Sequence, residues 1–372
     1  MLNTITILAF LMLAGAFCTS ALITAIVRKR SLKNDFVARP AIDRYHTSVI
    51  PLGGGIAIFW TLAIFMLAGA AIVKFLIAPG HLDFLGAGVA IHTEGFLTKI
   101  PELLIVLACA FILHIVGLWD DKKHLGPFVK LTAQFAVAAI VAIFADIRVE
   151  LFIENKIFTT CLSVLWIVTI INAFNFLDNM DGLSAGIAAI VATVLFTAAA
   201  ISGQVFIGSL ALLFIGALAG FLAFNFPPAK IFMGDCGSLV VGFILAVLTL
   251  RTTYYQQDPQ ESVGNIYAVF MPLVVMAVPL YDFLSVTILR IAQGKSPFVG
   301  DTQHFSHRLK RRGLTDTQTV LTLYLATITT AASSIILYQV NLAGTILIFA
   351  QTVMILIIIA IFEATGKQKI DL

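Results

Sequence analysis

Eleven runs of mostly apolar residues recur along the chain, at about 4–27, 52–77, 101–119, 127–145, 158–175, 183–201, 205–224, 237–255, 265–290, 317–340 and 342–362. Each is long enough, as a helix, to cross about 30 Å of hydrocarbon at about 1.5 Å per residue. A chain built this way has few options, because inside a bilayer every backbone N–H and C=O needs a partner within the protein. The expectation is an all-α, polytopic bundle of about eleven transmembrane helices, forming a single domain over 1–372. Composition supports it: 60% of the 372 residues are hydrophobic and 12% are charged, against about 25% charged in soluble domains. The mean hydropathy is +1.01.

Lys and Arg set the expected orientation. With the N-terminus outside, the inner segments hold Arg28, Lys29, Arg30, Lys33, Lys122, Lys123, Lys130 and most other cations, leaving only Lys74, Lys99, Arg148, Lys156 and Arg251 at outer positions. Positive residues favour the cytoplasmic side, so the C-terminus is expected inside as well. The cluster Arg28-Lys-Arg30 follows the first apolar run, which reads as a first span and not as a cleaved signal. Cys18, Cys109, Cys161 and Cys236 lie in or beside apolar runs without metal-ligand spacing.

This topology gathers the polar motifs on one side, in loops at 28–51, 120–130, 175–182, 225–238 and 291–316. Asn172, Asn175, Asp178, Asn179 and Asp181 crowd the end of the fifth run. If the helix continues, Asn175, Asp178 and Asn179 share a face. Such a row suits a metal's water shell or a sugar's hydroxyls, while helix–helix hydrogen bonding is the plainer reading for Asn172. Asp120-Asp121 is either a solvated helix end or a pair that attracts a divalent cation or takes a proton. Lys130, one turn from Gln134, is either an interface anchor or a phosphate contact. Asp235, between Gly234 and Cys236-Gly237, is either the N-cap of the eighth helix or a cation ligand. His304, His307 and Arg308 place donors on one turn, suited to phosphates. Lys310, Arg311 and Arg312 fit anionic lipid headgroups, and no nucleic-acid partner is expected. The glycines of Pro51-Leu-Gly-Gly-Gly55 serve close packing or backbone approach to a phosphate. Gly216 and Gly220 could pack within the bundle or between two copies, so a homodimer is left open.

A secondary transporter is the rival class. Such proteins place ionisable groups near the midplane, often on broken helices of a repeat. Here only Asp282 and His114 sit deep in apolar runs, the other acids gather at one face, and no repeat is visible.

The motifs Val-Gly-Leu-Trp-Asp120-Asp121, Asn172-Ala-Phe-Asn175-Phe-Leu-Asp178-Asn-Met-Asp181-Gly182, Phe232-Met-Gly-Asp235-Cys-Gly-Ser238 and Asp301-x-x-His304-x-x-His307-Arg308 occur in this order. Together they resemble the polyprenyl-phosphate N-acetylhexosamine-1-phosphate transferase family, over about residues 40–312. The resemblance implies a multi-pass enzyme of the bacterial inner membrane with a cytoplasmic active site. It implies transfer of a sugar-1-phosphate, GlcNAc-1-phosphate first, from a UDP-N-acetylhexosamine to undecaprenyl phosphate, with release of UMP and Mg2+ or Mn2+ as cofactor. It further implies Asp235 as principal metal ligand and Asp120 and Asp121 as the pair that activates the lipid phosphate or places the metal. Asn175 and Asp178 become site residues, Asn225 a nucleotide contact, Lys130 a phosphate contact, and His304, His307 and Arg308 a pyrophosphate-binding loop. This chain departs from the family's His-x-His-His pattern, with Ser306 in place of one histidine. It also lacks the triple histidine of the muramoyl-pentapeptide branch, which points to the branch that starts other surface glycans.

Overall fold

A computed structural model describes residues 4–39, 49–149, 154–252, 269–296 and 304–365. Arg44, His46 and Asp301 lie outside the described residues. The elements run α1 (Thr4–Lys33), β1 (Val37–Ala38), β2 (Ile50–Pro51), α2 (Gly54–Ile72), α3 (Ala87–Lys122), α4 (Pro127–Phe144), α5 (Lys156–Leu177), α6 (Leu183–Ile201), α7 (Val205–Asn225) and α8 (Asp235–Arg251). There follow α9 (Met271–Val275), α10 (Ala277–Ala292), α11 (Phe305–Arg311), α12 (Asp316–Ser334) and α13 (Leu342–Thr365). The one departure from helix among these elements is a two-residue antiparallel ribbon pairing Val37 with Pro51 and Ala38 with Ile50.

Nine helices among the described residues are long and apolar enough to cross a membrane. The eighth and ninth expected spans take a different form. The eighth is the 17-residue α8. The ninth is interrupted: α9 stops at Val275, and α10 begins after Met276. The chain is a multi-pass helical membrane protein.

The core is built around α8, in which every residue from Cys236 to Thr249 is buried. A helix that is apolar all round belongs inside a bundle. Small residues let neighbours close on it: a Cβ at Gly237 would fall 2.6 Å from the Cα of Gly55 on α2. Polar bonds fasten the C-terminal end of α8. Trp166 Nε1 on α5 donates to Thr249 Oγ1 at 2.9 Å. Arg251 donates to Glu102 Oε1 on α3 at 2.7 Å and to the Ala145 carbonyl at 3.0 Å.

The Gly216–Gly220 pair faces α1 of the same chain. A Cβ on Gly216 would come 2.7 Å from the Leu13 carbonyl, and one on Gly220 would strike the Phe17 carbonyl. Ser20 Oγ donates to the Ala217 carbonyl across the seam at 2.6 Å. Small residues that allow backbones to touch, with a serine bond across them, are the usual basis of tight helix packing in lipid. These two glycines therefore pack within the bundle, against α1.

Candidate active site

The expected site residues converge at one end of the bundle, around the first turn of α8. Gly234, at φ +76°, precedes it, a conformation that suits glycine. A Cβ there would lie 2.6 Å from Asp121 Oδ2. Its absence lets the Asp121 carboxylate reach the end of α8, where Oδ1 accepts from Asp235 N at 2.8 Å and Oδ2 from Cys236 N at 3.1 Å. A helix start has backbone donors without intrahelical partners, and a carboxylate there also meets the positive end of the helix dipole. Asp121 caps α8 from α3, while Asp120 turns to Lys130. The two adjacent acids do different jobs.

Asp120, 7% exposed, accepts from Leu125 N at 2.6 Å and pairs with Lys130 Nζ at 3.1 Å. Lys130 also pairs with Asp235 Oδ2 at 2.8 Å. Asn175 Nδ2 reaches Asp235 Oδ1 at 3.1 Å and Ser238 Oγ at 2.9 Å. The lysine and the asparagine therefore hold Asp235 from two sides. Helix α5 ends at Leu177, so Asn175, Asp178 and Asn179 do not share a helical face. Asp178 follows the helix end. Burial, together with the negative charges of Asp235 and Asp121, pushes its carboxyl well above the usual range, and a backbone bond from Gly234 offsets part of this. Asn172 bonds Gln134 Oε1 at 2.6 Å and plays the plainer helix–helix role.

The Gly54 and Gly55 N–H groups donate to the carbonyls of Phe232 and Met233, both at 2.9 Å. Of the two readings of that glycine run, the structure spends these donors on holding the Asp235 turn. Asn225, 3% exposed, was expected at the nucleotide. Its Oδ1 accepts from Gly182 N at 3.0 Å and its Nδ2 donates to the Ile231 carbonyl at 2.9 Å. Asp181 Oδ2 takes Ala229 N at 2.8 Å. Asn225 and Asp181 thus clamp the 225–231 loop to the 178–182 turn, and Asn225 stands behind the site.

The second half of the site is the start of α11. His304 precedes the helix and pairs through Nδ1 with Asp282 Oδ2 at 2.9 Å. Ser306 Oγ bonds Asn179 Oδ1 at 2.6 Å. The residue that departs from the family pattern ties this loop to the end of α5. His307 is 6% exposed, and burial and the charge of His304 lower its pKa to about 4. At neutral pH it is an uncharged imidazole, which leaves it one N–H donor. Arg308 pairs with Glu363 at 3.1 Å and donates to Ser285 Oγ at 2.9 Å. It anchors α11 to α13 and α10, whereas the sequence reading put it on a pyrophosphate. Glu363 also accepts from Tyr281 at 3.3 Å. Sequence reasoning missed that role of Glu363, because an acid near the end of the last apolar run gives no sign of its partners.

Among the described residues no three His, Cys, Asp or Glu side chains are grouped closely enough to hold a metal ion unaided. What the site does offer is carboxyl oxygen: Asp120 and Asp235 pair with Lys130, and Asp121 and Asp178 lie beside Asp235.

Residues 103–253 match the family model described as glycosyl transferase family 4. That stretch carries Asp120, Lys130, Asn175, Asp178 and Asp235. The chain is 32% identical over 356 residues, 94% of its length and 89% of the relative's, to a probable undecaprenyl-phosphate N-acetylglucosaminyl 1-phosphate transferase of Bacillus subtilis. It is 30% identical over 334 residues, 82% of its length and 78% of the relative's, to a decaprenyl-phosphate N-acetylglucosaminephosphotransferase of Mycobacterium tuberculosis. An undecaprenyl-phosphate alpha-N-acetylglucosaminyl 1-phosphate transferase of Escherichia coli is 26% identical over 328 residues, covering 84% of this chain and 80% of the relative. The acid pocket at the start of α8 and this near full-length similarity lead to one conclusion: the chain belongs to the polyprenyl-phosphate N-acetylhexosamine-1-phosphate transferase family, glycosyl transferase family 4.

Proposed function

We propose that the protein transfers GlcNAc-1-phosphate from UDP-GlcNAc to undecaprenyl phosphate and releases UMP, at the cytoplasmic face of a bacterial inner membrane. The observation that carries this reading is the Lys130–Asp120–Asp235–Asn175 constellation, together with relatives named for that transfer. The Lys and Arg distribution supports the cytoplasmic side. One phosphoanhydride is broken and a similar one made, so no further energy source is needed.

Mg2+ usually binds one or two carboxylates plus substrate phosphates and not a cage of protein ligands. A site rich in carboxylate, yet without a three-ligand group, fits that habit. Asp235 and Asp120 would hold the ion, which when bound would offset phosphate charge. Lys130 Nζ, held between these two acids, supplies a point charge for a phosphate oxygen. Asn175 fixes the rotamer of Asp235. Asp121 has both oxygens committed to backbone N–H groups, which makes it a poor nucleophile and favours direct attack of the lipid phosphate on the sugar-linked phosphorus.

The test is UMP release by the purified protein in detergent. Release should require UDP-GlcNAc, undecaprenyl phosphate and a divalent cation, and EDTA should stop it. Release without the lipid phosphate, or with UDP-MurNAc-pentapeptide in preference, would overturn this assignment. A phosphorylated enzyme trapped with UDP-GlcNAc alone would overturn direct attack.

A further inference from the structure

Asp282 is 0% exposed on α10, where a charged group is costly enough to need a reason. Both of its oxygens are engaged by the start of α11. Oδ2 meets His304 Nδ1 at 2.9 Å, and Oδ1 accepts from Phe305 N at 3.0 Å. The His304 side chain makes no cap bond to α11, so that start is capped from α10. The His304 ring stands edge-on to Phe176, with centroids 5.5 Å apart. Arg290, 2% exposed, lies 5.0 Å from the centroid of Phe176. Phe176 follows Asn175, which holds Asp235. A packed path therefore runs from Asp282 through His304 and Phe176 to the centre of the site.

We infer that Asp282 is a positioning residue for the transfer reaction, acting through His304: it keeps a proton on Nδ1 and leaves Nε2 as the ring nitrogen that meets a substrate phosphate. A ring nitrogen's role is set by the bond that the other nitrogen makes. Phe305 N can only donate, so Asp282 must accept there, and a carboxylate can accept from His304 Nδ1–H as well. An asparagine has one acceptor end. It either drops the Phe305 cap or turns its NH2 toward Nδ1, which moves the ring proton to Nε2. With the carboxylate in place, Nε2 can take the proton of a substrate phosphate O–H; Asp282 balances the imidazolium so formed, and its Nε2–H then donates to the phosphate oxygen left behind. The kinetic part of this inference rests on the function proposed above; the tautomer part does not.

Two measurements test it. In the 15N spectrum of histidine-labelled protein, assigned with His304→Gln, the wild type should show His304 with its proton on Nδ1. A bare Nδ1 overturns the inference whether or not the donor and acceptor are correctly named. In kinetics, Asp282→Asn should lower kcat about 10- to 100-fold, and Asp282→Glu should recover most of it. The decisive comparison is Asp282→Asn placed in a His304→Ala background. There it should cost less than about 2-fold, because the residue it acts through is gone. A purely structural cap would still be lost in that background, so an undiminished cost, or no recovery with Glu, overturns the inference. If Asp282→Asn does not fold, the wild-type spectrum and the Glu variant decide the matter.

Discussion

Two helices at the same end of the bundle, α8 and α11, are each capped by an aspartate from another helix. Asp121 closes the start of α8 and Asp282 the start of α11. The parallel ends at what each helix presents. At α8 the cap sits beside another acid, so the site concentrates carboxylates around a single lysine. At α11 the cap shares its second oxygen with an imidazole, and arginine and lysine follow on the same short helix. One start collects negative charge and the other collects donors. In the proposed reaction two anionic phosphates must meet, and a cation held at the first start together with a donor at His304 would lower their repulsion.

The largest break in this comparison should come from Asp235→Asn. It keeps the shape and loses the charge, and turnover should fall by about 10³-fold with the thermal midpoint little changed. Near-normal turnover would remove Asp235 from the chemistry. Asp121→Asn comes next. One backbone donor of α8 loses its acceptor in a buried place, which costs about 1–3 kcal/mol. The loss should appear first in the thermal midpoint and only then in turnover, the reverse order to Asp235→Asn. A denaturation series in detergent separates the two patterns.

Acid should sharpen the contrast from the α11 side. The folded pKa of His307 lies near 4, below its ordinary 6.5. The unfolded chain therefore binds a proton that the folded one refuses. Stability from this group is complete above pH 6.5 and is lost as pH falls toward 4, by on the order of 2–3 kcal/mol. His307→Phe should flatten that slope in thermal unfolding measured from pH 7 to 4. Asn225→Ala should cost about 1–2 kcal/mol of stability, through the two backbone bonds it leaves unmade, while a purely structural clamp leaves the KM for the nucleotide sugar near its normal value once the protein is folded. The smallest effect belongs to Ser306→Ala, about 0.5–1.5 kcal/mol for a single hydrogen bond between α11 and the end of α5. A loss well above that would mean that Ser306 touches substrate.

The helical bundle was legible in the sequence, because apolar runs report directly on burial, and the polar motifs singled out there do come together around the start of α8. The partners of each acid were not legible. Asp121 and Asp120 are adjacent in the chain, yet one bonds backbone 114 residues away and the other bonds Lys130. Residue type says that a carboxylate will find a donor and does not say whether the donor belongs to a lysine or a helix end. Arg308 and Asn225 looked like ligand contacts for the same reason, and tertiary structure uses them for anchoring. Gly216 and Gly220 were visible as a packing pair, but their partner became clear only once α1 lay across them.

The length of α8 has a consequence for where a substrate must travel. Seventeen residues span about 26 Å, some 4 Å less than the hydrocarbon slab of about 30 Å. The far end is tied by Arg251 to Glu102 and the Ala145 carbonyl. Placed in a slab of that thickness with the Arg251 end at one boundary, α8 would leave its Asp235 end short of the other, and the acids around Asp235 would then lie a little below headgroup level. A lipid phosphate would reach them by dipping a few ångströms, while a water-soluble nucleotide sugar would have to descend and shed water on the way.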